Sequence, residues 1–292
     1  MASHFLNSEY LSLKTVLLCR PFFKTKDAYD PKKALHLRKV DPVAMDRELE
    51  EIIRLYGKFG IKSHLIDAQK ISPGGSHYLF NLMFTRDLFF MTPKGAIVSR
   101  MASLVRREET KYLKKALKKQ GVPIRKVVRG KGTFEGADAL WVNPKIVVVG
   151  VGNRTNDNGF KQVKEELNKD GVRCLRFPAS CGSLHLLGAA QFIDKNLAMV
   201  RVKLVRPEFV DFLQKNKIEI IRIPENDEVK NKQAFNFITI APRKIIMPAN
   251  CPKTKKIFQQ QKIKVLAEVP VTQLINAGGG LACATGVLKR AD

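Results

Sequence analysis

The sequence predicts an α/β protein built as a closed ring of five ββαβ units, and three observations carry that expectation. Short strand-like segments of common shape recur at 60–67, 121–128, 171–178, 217–224 and 262–269, their starts 61, 50, 46 and 45 residues apart. Four follow an amphipathic helix-like stretch (46–59, 102–120, 160–169 and 207–216), and the fifth follows a shorter one, 254–261. Between them lie pairs of apolar runs around a polar turn, the pattern of a hairpin. This period is longer than that of common helical solenoids, and the mixed α and β content argues against an all-β propeller.

Taken in order, residues 14–21 (Lys-Thr-Val-Leu-Leu-Cys-Arg-Pro) read as an opening strand. The four hairpins follow at 88–100, 140–152, 190–203 and 235–250, turning at Pro93-Lys94, Pro144-Lys145, Asp194-Lys195-Asn196 and Pro242-Arg243-Lys244. The opening strand is left to pair with a C-terminal strand around Cys283, which would close the set at five. No Pro-, Gly- or Ser-rich linker divides the chain, so residues 1–292 are expected to form one domain. A closed ring of such units buries each sheet against its neighbours and leaves a central axis.

Composition narrows the function. The five cysteines (Cys19, Cys174, Cys181, Cys251 and Cys283) are odd in number and scattered, with no Cys-x-x-Cys pair. No Cys/His set has zinc-ligand spacing, so no metal is expected, and the pattern fits a reducing compartment. The N-terminal stretch lacks a basic region before an apolar core, and no apolar run reaches membrane-spanning length. A cytosolic location without a membrane partner is the expectation. The 52 basic and 27 acidic residues give a net charge of +25. Nucleic-acid binding has to be weighed on that ground, but the basic residues are spread along the chain. The densest cluster, 106–131, lies largely on one predicted helix and carries no aromatic RNA-binding signature. A solvated lysine-rich face is the simpler reading, and nucleic acid is not an expected partner. The field would still favour anionic or carboxylate-bearing ligands.

Chemistry enters where each repeated strand gives way to the next hairpin. After the first comes Asn81-Leu-Met-Phe-Thr-Arg86-Asp87, and after the second Glu135-Gly-Ala-Asp138. Ser183-Leu-His185 follows the third, Asn236 between two phenylalanines the fourth, and Gly278-Gly-Gly-Leu-Ala-Cys283 the fifth. The glycine run lets backbone approach a ligand closely and sets the cysteine on a bend. Taken singly, each residue has a plainer reading: Asp87 as a turn residue or partner of Arg86, Glu135 and Asp138 as loop charges, His185 as a satisfied core histidine, Asn236 as a backbone partner, Cys283 as a buried structural thiol. Their joint placement is less expected, because a ring gathers all five positions at one end of its axis. Two carboxylates cannot serve as an oxyanion hole. They suit a planar cation, and a guanidinium pairs with carboxylates in a fork. A thiol nucleophile and a histidine able to protonate a leaving amine complete a set for attack on a guanidinium carbon.

With Phe84-Thr-Arg-Asp87, Glu135-Gly-Ala-Asp138, Gly152-Asn-Arg154-Thr-Asn156, His185-Leu and the terminal Gly-Gly-Gly-Leu-Ala-Cys283-Ala-Thr in this order, the chain resembles the guanidine-modifying superfamily of pentein fold. That superfamily includes arginine deiminases, glycine amidinotransferases and dimethylarginine dimethylaminohydrolases. The resemblance implies that Cys283 is the nucleophile and His185 the general acid and base. It implies that Glu135 holds a substrate nitrogen and orients His185, that Asp87 grips the guanidinium, and that Arg154 binds the substrate α-carboxylate. Arg106 or Arg107 resembles a second carboxylate contact, with the solvated face of a helix as the alternative. Asn81 and Asn236 are further candidates for substrate contact, and Asp138 for a supporting acid that does not touch substrate. No cofactor is implied, the expected partner is a small guanidino molecule, and a homodimer is an open option. Leu187 stands where deiminases and amidinotransferases carry an acid, and with the short chain and Arg154-Thr-Asn156 this is similar to the dimethylarginine hydrolases. Asn81 through Asp87 is more similar to arginine deiminases. The rival of another class is a non-catalytic pentein that binds ribosomes or RNA. Lid candidates are 31–39 and 73–80.

Overall fold

The computed structural model describes residues 6–21, 30–71, 79–179 and 182–291. It contains five three-stranded sheets of one design. In four of them a hairpin is followed by a helix and a third strand parallel to the second: β3 (Phe89–Thr92), β4 (Gly95–Val98) and β5 (Ile124–Val127); β6 (Ala139–Asn143), β7 (Ile146–Val151) and β8 (Arg173–Pro178); β9 (Ala190–Asp194), β10 (Leu197–Val200) and β11 (Glu219–Arg222); β12 (Ile238–Ala241), β13 (Lys244–Pro248) and β14 (Lys264–Val269). The remaining sheet joins both ends of the described chain. Its middle strand is β1 (Leu13–Arg20), parallel to β2 (Lys62–Asp67) and antiparallel to β15 (Gly286–Arg290). Residues of β15 meet β3, β6 meets β9, β9 meets β12, and β12 meets β1. Trp141 on β6 donates from its indole to Met91 O on β3 at 3.1 Å and stacks on Phe90. The five blades therefore follow one another around a ring that closes on itself.

Burial explains why the segments read as they do. The middle strands β4, β7, β10 and β13 are paired on both edges and buried along nearly their whole length, so they are nearly continuous apolar runs. The parallel strands β2, β5, β8, β11 and β14 lie at the rim, half exposed, with charged residues alternating into solvent. The crossover helices are Pro42–Lys58, Glu109–Lys119, Asp157–Asn168, Pro207–Lys215 and Pro252–Gln260. After each helix the chain turns through one residue with left-handed φ: Gly60 (71°), Gly121 (70°), Gly171 (69°), Lys217 (57°) and Lys262 (58°). That requirement produces the repeated start that the sequence shows, glycine in three blades and lysine in two.

Several boundaries differ from expectation. Three helices begin on proline (Pro42, Pro207 and Pro252), whose missing N–H costs nothing in the first turn. Two of them therefore start earlier than the amphipathic pattern suggested. The stretch 102–120 is not one helix: a short 3₁₀ turn, Leu104–Arg106, precedes the helix Glu109–Lys119. The break turns Arg106 inward. The basic cluster 106–131 is thereby divided among a buried arginine, the helix and β5. Lys111, Lys115, Lys118 and Lys119 of the helix are solvent-exposed while Leu113 and Leu117 are buried, a solvated face as expected. Among the described residues no helix is long and apolar enough to cross a membrane.

Candidate active site

Every sequence-selected loop stands immediately before the innermost strand of a blade. Asp87 precedes β3, Glu135 and Asp138 precede β6, His185 precedes β9, Asn236 precedes β12 and Cys283 precedes β15. Asp87, Arg106, Arg154, His185, Asn236 and Cys283 line a single pocket at one end of the ring, and Asn81 contributes to its wall.

Glu135 is fully buried and is held from both sides. Its Oε1 accepts from Ala102 N at 3.1 Å, with Arg154 Nη1 3.8 Å away, and its Oε2 lies 2.7 Å from His185 Nε2. The other ring nitrogen of His185, Nδ1, is 3.8 Å from Asp87 Oδ1. Burial opposes charge on His185, but Asp87, the bond to Glu135 and the nearby Asp138 outweigh it and raise its pKa to about 9. Burial likewise opposes charge on Glu135, and the His185 bond with Arg106 and Arg154 overcomes it, holding the carboxyl below its usual range. The pair is thus a carboxylate and an imidazolium. Asp138 supports it without facing the pocket: its Oδ1 accepts from Leu186 N at 3.1 Å, beside His185, and its Oδ2 accepts from Thr155 Oγ1 at 2.7 Å. The Thr155 hydroxyl in turn accepts from Glu135 N at 3.2 Å.

Asp87 divides its two oxygens. Oδ2 takes Arg106 Nη1 at 2.7 Å, whereas Oδ1, though buried, has no hydrogen-bond partner in the protein. Burial without a partner is costly for a carboxylate oxygen, which marks Oδ1 as a position for a donor from a ligand. Arg106 departs from expectation. It is 5% exposed, its Nε bonds Glu109 Oε2 at 2.9 Å and its Nη2 donates to Asn81 O at 3.1 Å. It belongs neither to a solvated helix face nor to a free carboxylate-binding arginine; its donors are spent on Asp87, Glu109 and Asn81. The Asn81 side chain is also engaged, donating to Ala34 O at 2.7 Å. Asn81 thereby fastens the segment around Leu35 and Leu37, which lines the pocket mouth and is tied again by Leu37 N and Arg38 N to Asn276 O. Of the two expected lids, this is the one within the described residues; 73–78 lie outside them. Two pocket arginines have partly exposed side chains: Arg154, at 21%, and Arg201, at 12% and paired with Glu225.

Cys283 sits in a one-turn helix, Leu281–Ala284, entered through the glycine run. The three glycines answer different needs. Gly278 has φ +92°. A Cβ on Gly279 would stand 2.3 Å from the Phe84 ring, and one on Gly280 2.7 Å from the Asn236 side chain. That last contact reveals the role of Asn236. Its Oδ1 accepts from Ala282 N at 2.7 Å and Cys283 N at 3.2 Å, and its Nδ2 donates to Cys283 Sγ at 3.1 Å. The expected substrate contact is an amide clamp on the cysteine turn. Burial and the charge of Asp87 push the Cys283 thiol up to about 11, against the Asn236 bond and Arg106.

Asp87, Glu135 and His185 present ligand atoms within 4.8 Å of one another and are, among the described residues, the group that could hold a metal. The 2.7 Å separation of His185 Nε2 and Glu135 Oε2 is shorter than the roughly 3.4 Å between neighbouring ligands of a tetrahedral ion with bonds near 2.1 Å. The pair is spaced to share a proton.

A five-bladed ring with two carboxylates, a histidine and a cysteine gathered at one end defines a protein of the guanidine-modifying pentein superfamily. Within it, the family model described as N,N dimethylarginine dimethylhydrolase, eukaryotic, matches residues 24–289, and the chain belongs to that family. An uncharacterized protein of Bacillus subtilis, YkgA, is 24% identical over 98% of this chain and 95% of its own. The N(G),N(G)-dimethylarginine dimethylaminohydrolase of Pseudomonas aeruginosa is 28% identical over 69% of this chain and 74% of its own. Among solved structures, SxtG, an amidinotransferase of Microseira wollei, shares the fold with a TM-score of 0.80 at 15% identity, covering 99% of this chain and 98% of that one. Members of these families are enzymes acting on guanidino C–N bonds.

Proposed function

We propose that this chain is a single-domain enzyme that hydrolyses a guanidino C–N bond in arginine or an N-methylated arginine, giving citrulline through a covalent intermediate on Cys283. The observation that carries this reading is Asp87 Oδ1, which makes no hydrogen bond and lies 3.8 Å from His185 Nδ1, buried beside the Glu135–His185 pair in the pocket that Cys283 lines. A guanidinium N–H would supply the donor that this oxygen lacks, and Arg154, which lines the same pocket, would take the α-carboxylate.

The steps follow from the protonation states. Cys283 rests as a thiol and His185 as an imidazolium. A bound guanidinium offsets Asp87 and adds positive charge at the sulfur, so the thiol releases its proton to solvent. The thiolate forms a C–S bond to the guanidinium carbon. His185 passes its proton to the departing nitrogen as the C–N bond breaks, and ammonia or a methylamine leaves a thiouronium on Cys283. Neutral His185, held by Glu135, then takes a proton from water. The hydroxide adds to the same carbon, the C–S bond breaks, the hydroxyl proton passes to the departing sulfur to restore the Cys283 thiol, and citrulline departs. All of this is done by protein side chains, without a cofactor.

Product analysis tests the assignment. The protein is incubated separately with arginine, monomethylarginine, asymmetric dimethylarginine and agmatine, with Cys283→Ser as control. Citrulline with dimethylamine supports the dimethylarginine reading. Citrulline with ammonia makes arginine the substrate. A transferred amidino group when glycine or lysine is added makes the chain an amidinotransferase. No product from any of them, with Cys283 inert to iodoacetamide even well above pH 9, removes the catalytic reading in favour of a binding protein.

A further inference from the structure

A second polar cluster lies on the axis of the ring, behind the catalytic pocket, with Leu187 in the wall of both. Arg86, immediately before β3, and Arg290, at the end of β15, line a small cavity together with Glu9, Gln191 and Thr239. The charges there do not balance. Glu9 is bonded by Arg86 Nη2 at 3.0 and 3.1 Å and by Trp141 N at 3.2 Å, so it is committed to Arg86. Among the described residues Arg290 hydrogen-bonds neutral carbonyls, Leu11 O at 2.6 Å and Thr239 O at 2.9 Å; Glu9 favours its charge from a distance and Arg86 opposes it, but no described carboxylate forms an ion pair with it. Both guanidinium groups are more than nine-tenths buried, Arg86 at 7% and Arg290 at 3% exposure, and the Nε of each has no protein partner.

A guanidinium is too basic to shed its charge when buried, so two cations and one carboxylate leave an uncompensated positive charge in a low-dielectric interior, a costly arrangement. A neutral water could satisfy the two orphan N–H groups but not the charge. We propose that the axial cavity is a structural anion site, taking one small monovalent inorganic anion of the halide class, chloride in the first instance, held by Arg86 Nε and Arg290 Nε. The anion would lock β15 to the loop before β3. Those are the elements that close the ring and carry Cys283 and Asp87 at their ends. The inference concerns the axis alone and stands whether or not the proposed hydrolysis is correct.

The test uses the wild-type protein at constant ionic strength, comparing its thermal midpoint in sodium chloride and in sodium gluconate from low millimolar concentration upward. Specific binding to the folded state gives a saturable rise with chloride that gluconate does not give. The halide-dependent part should vanish in Arg290→Met. If that variant does not fold, crystals grown in bromide decide for the wild type, where an anomalous peak within hydrogen-bond distance of both Nε atoms is expected. Identical midpoints in the two salts, or a bromide map with no peak between the arginines, overturns the proposal and leaves water in the cavity.

Discussion

Asn236 holds Cys283 from two directions, its amide oxygen accepting from the backbone of the cysteine turn and its amide nitrogen donating to Sγ at 3.1 Å. A single side chain therefore sets both the path of the loop and the polarity at the sulfur. Asn236→Ala removes the side-chain acceptor of Ala282 N and Cys283 N and leaves Ala282 N only its longer bond to the carbonyl of residue 236 at 3.3 Å, a loss of about 0.5–1.5 kcal/mol per bond. A lowered urea midpoint together with reduced turnover is expected, and an unchanged midpoint would show that the clamp carries no weight. Asn236→Asp keeps the acceptor but replaces the donor with negative charge. Its thiol should titrate higher than that of the wild type, read from the pH dependence of iodoacetamide alkylation.

The same alkylation profile tests the electrostatics of Asp87. Burial and Asp87 raise the Cys283 pKa to about 11, so reactivity in the free protein should climb steeply only above pH 9. Asp87→Asn removes the neighbouring negative charge and should move the midpoint down while weakening guanidinium binding. A midpoint that stays in place, with KM and kcat also unaltered, would take Asp87 out of the site.

His185 ties stability to pH. Its folded pKa of about 9 lies above the unfolded value of about 6.5, so its contribution is complete below pH 6.5 and disappears as pH rises through 9. Denaturant unfolding at pH 6, 7.5 and 9 should show stability falling across that window, and Glu135→Gln, which removes a main cause of the shift, should flatten the fall. Turnover in Glu135→Gln should drop on the order of 10²- to 10⁴-fold through loss of acid–base function. A wild-type slope in that variant would mean that the pair is not what raises the histidine.

How far the sequence disclosed this architecture is clearest at the five turns after the crossover helices. The ring was legible because each blade repeats one helix and one rim strand at fixed order, and because a left-handed residue punctuates each junction. Lys217 and Lys262 occupy that position without glycine's freedom, at a cost of roughly 1–2 kcal/mol before the greater entropy loss of glycine is counted. Lys217→Gly and Lys262→Gly should each raise stability by up to about 1 kcal/mol, checked by thermal midpoint; a decrease would show that the lysine stems pack there.

The candidate site was legible in its chemical inventory and less so in its connections. Asp87, Glu135, His185 and Cys283 stood out because each polar group interrupts an apolar approach to an innermost strand. Arg106 did not, because its partners Asp87 and Glu109 depend on a break in what the amphipathic pattern makes one helix. Asn236 was visible as a polar residue between phenylalanines, but its partner lies 47 residues away and only the ring brings them together. The tightness of Gly280 against the Asn236 side chain was the one local sign, and it can be read only with the partner in place.

Arg106 and Glu109 offer an independent check. Glu109 is almost fully buried, and burial against the pull of Arg106 raises its pKa to about 7. A raised carboxyl stabilises the fold while protonated, so this contribution is present below the unfolded value near 4.5 and declines as pH rises through 7. Glu109→Gln should remove that decline while keeping most of the fold. A pH–stability curve unchanged between 4.5 and 7 would contradict the buried Asp87–Arg106–Glu109 arrangement.

The most direct test of the central claim is mass spectrometry of the acid-quenched protein during turnover of asymmetric dimethylarginine or arginine. A peptide containing Cys283 should carry the substrate mass less the departing amine, and both this adduct and citrulline should be lost in Cys283→Ser. Citrulline formed by Cys283→Ser at the wild-type rate would contradict a covalent mechanism at this cysteine.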